Sequence, residues 1–423
     1  MLESPVDWLL VAIFVIGYLF ITFEQKIGIN KATSALLMGV VAWVVEFTRE
    51  KVAHGEKIRF FGEHLSSIAE VVIFIVGALT IVEVINSHDG FRFIKNLLVT
   101  HSKRKMLWMI GAVAFIFSAF LGSLTMTLVL VALVSKIADK VEDRWVLGSG
   151  IVLAANAGGA FSPIGDITST MLWIGGQLST SKMVLDLFLP SLVCGIVALC
   201  FLQFRLKGRF EQMTGELEKP TPLSIGMFVL GLGAILFVPV IKGLTGLPPF
   251  MGILLGLSVV WLATDLLHRS EDRQHLTVPH IIGKLDFGGA VFFLGILLAV
   301  NALETAGILE KLAHGLLAFS PNPTSIALGA GIVSALIDNV PLTAGLMGMF
   351  SIDIFPTDHF FWQLIAYSAG VGGSMLLIGS ASGVALAGME NVPFTWYLKR
   401  VSLPALVAFI AGFLIYKFFI CPC

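Results

Sequence analysis

Two carboxylates stand inside otherwise apolar stretches of this chain: Asp166 in NAGGAFSPIGDITST (156–170) and Asp338 in SALIDNVPLT (334–343). The first stretch also carries Asn156, Ser162, Thr168, Ser169 and Thr170, and the second carries Ser334, Asn339 and Thr343. Two further stretches add hydroxyls: Ser118, Ser123, Thr125 and Thr127 in SAFLGSLTMT, and Ser374, Ser380 and Ser382 in GGSMLLIGSASG. The set is almost entirely oxygen, which suits hard cations. These four stretches hold no Lys or Arg. A small cation, Na⁺ or Li⁺, is the natural occupant. A proton competes with it for the same carboxylate, and that competition is what exchange requires. Structural roles stand beside these functional ones. Asp166 is placed to cap a short helix beginning at Ile167. Asp338 is placed to bond backbone N–H groups at its turn. Serine and threonine in apolar helices often bond the preceding turn. No nucleophile–base pair and no metal-ligand spacing occurs in the spans, so an enzyme is not expected.

These residues need elements that hold them at membrane depth. The chain of 423 residues is 57% hydrophobic and 13% charged, with a mean hydropathy of +0.92. A soluble protein is about 45–50% apolar and about 25% charged. A span needs roughly 20 apolar residues, and such runs recur near 8–23, 32–47, 66–86, 182–205, 222–243, 249–267, 286–303 and 395–420. Segments 106–137 and 324–351 are too long for one span and have polar centres; they read as re-entrant hairpins. Segments 145–175 and 359–388 are glycine-rich and read as broken helices. Backbone freed at such breaks must be covered by protein or line a cavity. The chain therefore reads as an all-α polytopic membrane protein, with no barrel pattern of short alternating strands. The net charge of −1 carries no nucleic-acid signal.

The halves repeat at a nearly constant offset: Gly39 pairs with Gly256 (256 − 39 = 217) and Gly165 with Gly379 (379 − 165 = 214). Ser118 pairs with Ser334 and Gly77 with Gly295 in the same register. Units of 1–205 and 222–423, joined by a cytoplasmic linker at 206–221, make an inverted repeat of the secondary-transporter kind. Lys and Arg fit an outside N-terminus. Inside loops then take Lys31, Arg92, Lys103, Arg104, Lys105, Lys136, Lys140, Arg144, Arg205, Lys207 and Arg209, among others. Loop 48–65 fits poorly, since Arg49 and Arg59 fall outside.

The remaining titratable residues are weaker signals. Glu70 and Glu83 lie in the third span, where either could serve a proton path. His88 and His101 fall near span ends, where solvated histidines are expected. Cys194 and Cys200 read as packing residues, and Cys421 with Cys423 forms a two-cysteine tail able to pair or hold a metal. The N-terminus reads as an ordinary first span, not a cleaved leader.

Four stretches carry a family resemblance: ANAGGAFSPIGDITSTMLWIGG (155–176), SALIDNVPLTAGLMGMF (334–350), GGSMLLIGSASGVALAGME (372–390) and FIVGALTIVEVI (74–85). In them the chain resembles the NhaD-type sodium/proton antiporters of the ion transporter superfamily. The resemblance runs in order along essentially the whole chain. It implies exchange of Na⁺ (Li⁺) for H⁺ across a prokaryotic inner membrane, with no cofactor. It also implies a lipid-embedded homodimer with scaffold and transport domains. Ion-site positions carry over to Asn156, Asp166, Thr168, Ser334, Asp338 and Asn339, with Ser118 and Ser169 fitting and Ser374 in the second broken helix. The chain departs from the pattern at the first hairpin, where Gly122 and Ser123 stand in place of Asp-Asn. Two other functions fit the same elements. One is an anion carrier of the superfamily, for a dicarboxylate or arsenite; the other is a degenerate, non-coupled relative.

Overall fold

The computed structural model describes residues 4–22, 24–49, 54–92, 94, 100–138, 140–210, 220–268, 276–283, 285 and 287–421. The middle of the linker (211–219) and Cys423 lie outside these residues. Every named element among them is a helix, and their only bridge of strand type joins Ser102 to Arg209.

The first half runs α1 (Pro5–Thr22), α2 (Glu24–Ile27), α3 (Lys31–Phe47), α4 (His54–Ser87), α5 (Lys103–Leu121), α6 (Ser123–Ile137), α7 (Val141–Ala160), α8 (Ile167–Ile174) and α9 (Thr180–Leu202). The second runs α10 (Pro222–Thr245), α11 (Pro249–Leu267), α12 (Val278–Ile282), α13 (Phe287–Thr305), α14 (Ile308–Phe319), α15 (Pro323–Ser334), α16 (Asn339–Met349), α17 (Phe360–Gly372), α18 (Ala381–Glu390), α19 (Phe394–Arg400) and α20 (Ser402–Ile415). Local chemistry sets many of these starts. Asn30, Ser102, Ser179, Thr221 and Asn322 each accept a backbone N–H at the N-terminus of α3, α5, α9, α10 and α15. Proline occupies the first turn of α10, α11 and α15, where its missing N–H costs nothing.

Among the described residues, eight helices are long and apolar enough to cross a membrane. α4 has 34 residues. At about 1.5 Å per residue it is roughly 50 Å long, well beyond a hydrocarbon core of about 30 Å. It absorbs residues 54–65, the part of the chain that fitted poorly as a loop. The last span is also less simple than its apolar run implies: it divides at Val401 into α19 and α20. α14 has no counterpart among the expected spans. Its apolar residues Ile308, Leu309, Leu312, Ala313 and Leu316 recur at helical spacing. It meets α15 at a bend of 112°.

Two apolar cores divide the molecule. One joins α1, α3 and α13 with the outer face of α16 through Leu10, Ala35, Met38, Ile296, Ala299, Val340 and Ala344. The other joins α5 to α9 with α15, α17 and α20, through residues such as Ile110, Leu199, Trp362 and Phe409. Buried Asp7 pairs with Arg49 and lies 3.7 Å from Lys311, while Arg49 stands 3.4 Å from Glu46. These charges tie α1, α3 and α14 together. On the other core, Lys242 of α10 donates to the Trp173 carbonyl at 2.9 Å and covers its ring at 4.4 Å.

His88 corrects the expectation of a solvated histidine. It is buried, its Nε2 lies 2.9 Å from Nε2 of buried His268, and its Nδ1 lies 2.7 Å from the Val84 carbonyl. His101 is exposed. Cys194 is buried in the core, in keeping with its packing role.

Candidate cation site between two hairpin tips

The broken helices close on themselves through glycine. A Cβ built on Gly159 would lie 2.6 Å from the Gly165 carbonyl oxygen, and one built on Gly165 would lie 2.7 Å from that of Gly159. The second half repeats this: Gly373 and Gly379 meet each other's carbonyls at 2.5 and 2.6 Å. No side chain fits at either crossing, so only glycine lets the chain pass. Each break then restarts as a helix, α8 after Asp166 and α18 after Ser380.

The hairpins are fastened to these helices in the same way. Ser118 Oγ donates to the Ala155 carbonyl at 2.7 Å, and Ser334 Oγ donates to the Ala369 carbonyl at 2.7 Å. Thr127 Oγ1 bonds the Ser123 carbonyl at 2.8 Å, and Thr343 Oγ1 bonds that of Asn339 at 2.9 Å. Both pairs keep the register of the sequence repeat. Ser118 and Ser334 thus have their hydroxyl protons committed to helix backbone, and Ser169 Oγ is likewise within 3.3 Å of the Gly159 and Ala160 carbonyls.

Asp166 is where the two hairpins meet. Ser123 Oγ, on the first residue of α6, donates to Asp166 Oδ1 at 3.1 Å. Asn339 Nδ2, on the first residue of α16, donates to Asp166 Oδ2 at 3.1 Å. Asp166 itself precedes α8, so three helix N-termini surround one carboxylate. Each presents partial positive charge to it. Asp166 makes no side-chain cap bond of good geometry to α8. Thr168 stands beside Asp166, but its buried Oγ1 has no well-formed hydrogen bond. Gly370 on α17 also comes close: a Cβ there would lie 3.3 Å from Ala160 Cβ and 3.9 Å from Asp166 Oδ2.

The second half mirrors this with neutral groups. Gly370 occupies the repeat position of Asn156, and Ser380 that of Asp166. Asn156 Nδ2 donates to Ser374 Oγ at 2.7 Å and to Ser380 Oγ at 2.9 Å. Asn156 and Ser374 therefore lie together across the two broken helices. The Ser374 carbonyl is further held by Tyr397 Oη at 2.8 Å.

Asp338 is placed differently. Its Oδ1 accepts the Val340 N–H at 3.2 Å, capping α16, and its Oδ2 lies 4.0 Å from Lys31 Nζ. Lys31, assigned by sequence to a loop, is the first residue of α3 and lies against the hairpin tip. A cation in the first turn of a helix opposes the macrodipole, and that unfavourable position was a usable signal. Glu83 bonds Asn86 and Ser87 near the end of its own helix. No hydrogen bond links Glu83 or Glu70 to Asp166 among the described residues. No cluster of three or more His, Cys, Asp or Glu able to hold a metal occurs among them either.

The apolar spans and the broken-helix centre define a multi-pass membrane protein, and the family it matches is one of carriers. The chain belongs to the citrate transporter family CitMHS, whose model matches residues 5–362. It is 48% identical over 417 residues to "Sodium/proton antiporter 1" of Arabidopsis thaliana, across 97% of this chain and 72% of that protein. It is 28% identical over 427 residues to "Na(+)/H(+) antiporter NhaD" of Alkalimonas amylolytica, across 93% and 86% of the two chains. The resemblance to NhaD-type proteins is thus borne out. The crystal structure of the Alcanivorax borkumensis YdaH transporter shares the fold, with a TM-score of 0.50 at 11% identity over 99% of this chain and 98% of that one.

Proposed function

We propose that the chain exchanges Na⁺ for H⁺, with Asp166 as the carboxylate that both ions use. The observation that carries this reading is the meeting of both hairpin tips on Asp166, through Ser123 and Asn339. Both donors are neutral, so a proton or a cation can replace their hydrogen bonds on the carboxylate. Sodium then takes the Asp166 oxygens with Ser123 Oγ, Thr168 Oγ1 and the amide oxygen of Asn339 as neutral ligands. Names of relatives such as the Arabidopsis and Alkalimonas proteins support the ion pair chosen. Lithium, a still smaller hard cation, is taken by the same ligands. Asn156, Ser374 and Ser380 hold the neutral half-site, while Ser118, Ser334 and Ser169 fasten the hairpins and the break. Glu70 and Glu83 remain apart from this centre. The same reading takes repeat units of 1–205 and 222–423, a homodimer, and a prokaryotic-type inner membrane.

A second reading is an anion carrier, favoured by the family's citrate description and by the three helix N-termini at the centre. Asp166 opposes it, because an anionic substrate would meet a carboxylate there. Everted vesicles loaded with the protein decide between them. Na⁺ or Li⁺ should dissipate an imposed proton gradient, and citrate should not. A response to citrate alone would overturn the cation reading.

A further inference from the structure

Among the described residues, Lys31 brings a basic side chain within ion-pair distance of a hairpin tip, and three elements fix its position. Its Nζ lies 4.0 Å from Asp338 Oδ2 and 4.7 Å from the centre of the Phe292 ring on α13. Its backbone N–H donates to Glu24 Oε1 of α2 at 3.1 Å. The pair is partly buried, with side-chain exposures of 31% for Lys31 and 20% for Asp338. Asp338 immediately precedes Asn339, whose amide rests on Asp166. A charge held at Asp338 is therefore one residue removed from the cation centre.

We propose that Lys31 is a built-in counter-cation that sets how many charges the site lacks. This rests on the cation reading of Asp166. Two carboxylates and one ammonium leave the empty site one positive charge short. One Na⁺ or one H⁺ supplies it, and the two exclude each other. The ion pair at 4.0 Å is not among the hydrogen bonds of the structure, so it acts through charge and not through a fixed bond. Other titratable groups near the pair are Glu24 on α2, through the Lys31 backbone, and Tyr18 on α1, beside Asp338. From α13 the Phe292 ring lies under the ammonium. Lys31 touches no transported ion; it is a positioning residue for charge.

Without the ammonium, the site is two charges short. It then binds its first cation more tightly. The test is Na⁺ calorimetry on the purified full chain. Lys31→Met should raise Na⁺ affinity on the order of tenfold, the scale of one nearby charge. Lys31→Gln gives a second neutral variant should Met disturb packing, and thermal midpoints report folding. Lys31→Arg keeps the charge and should restore the parent's affinity. Parent-like affinity in folded Lys31→Met and Lys31→Gln would overturn the inference while leaving Asp166 intact. Failure of the parent chain to bind Na⁺ would instead sink the cation reading, and this inference with it.

Discussion

SAFLGSLTMT and SALIDNVPLT adopt the same attachment and different chemistry. Ser118 and Ser334 make the same bond at the same length, and Thr127 matches Thr343. Between these fixed points, Gly122 and Ser123 of one tip face Asp338 and Asn339 of the other. Gly122 has φ +87° and ψ 141°, whereas Asp338 has φ −49° and ψ 133°. The first tip therefore turns through a conformation that glycine alone adopts freely. The hydroxyls that fasten the hairpins are separate from the positions that carry charge, so one set can persist while the other diverges. Both tips still reach one carboxylate, Asp166. A second carboxylate at the first tip is not needed to build that meeting point.

The largest expected effect falls on the shared group. Asp166→Asn should reduce Na⁺-driven proton movement in everted vesicles to the level of empty vesicles. Exchange surviving in that variant would mean that the hairpins do not converge on the ion site. The two tips should then separate in the next experiment. Hydrogen bonds to charged groups contribute about 1.5–3 kcal/mol. Asn339→Ala, which removes an amide donor and a ligand oxygen, should weaken Na⁺ dependence roughly ten- to hundredfold. Ser123→Ala, which removes a single hydroxyl, should cost about tenfold, the lower end of that range. Equal losses would erase the functional asymmetry between the tips.

Making the tips alike in sequence should not make them alike in function. Gly122→Asp places a side chain at φ +87° and should destabilise the protein by about 1–3 kcal/mol. A lowered thermal midpoint in detergent would register this. An unchanged midpoint with altered ion stoichiometry would contradict the strained turn. The smallest effects belong to the shared fastenings. Ser118→Ala and Ser334→Ala should each cost about 0.5–1.5 kcal/mol, the net contribution of one neutral hydrogen bond. Thermal midpoints that differ widely between the two variants would break the structural equivalence.

How much of this was legible in the sequence follows from which interactions are local. Gly122, Gly159, Gly165, Gly373 and Gly379 mark real breaks, because backbone conformation and close approach act over a few residues. Asp166 and Asn339 were visible as polar residues in apolar runs, and the structure places them together. The Lys31–Asp338 pair and the buried His88–His268 contact were not visible. Their partners come from opposite halves of the chain, and no local pattern encodes such pairing. α14 was concealed for a different reason: its amphipathic run is too short and too charged to resemble a span. Its periodicity held the signal that its hydropathy lacked.

The central claim is that Asp166 holds either a proton or the cation, never both. Calorimetric Na⁺ titration of the parent chain and Asp166→Asn across pH tests it most directly. The parent should release protons as it binds Na⁺, and its affinity should fall as the pH is lowered and protons fill the carboxylate. Asp166→Asn should show neither Na⁺ binding nor proton release. Undiminished, pH-dependent Na⁺ binding with proton release in Asp166→Asn would contradict the account.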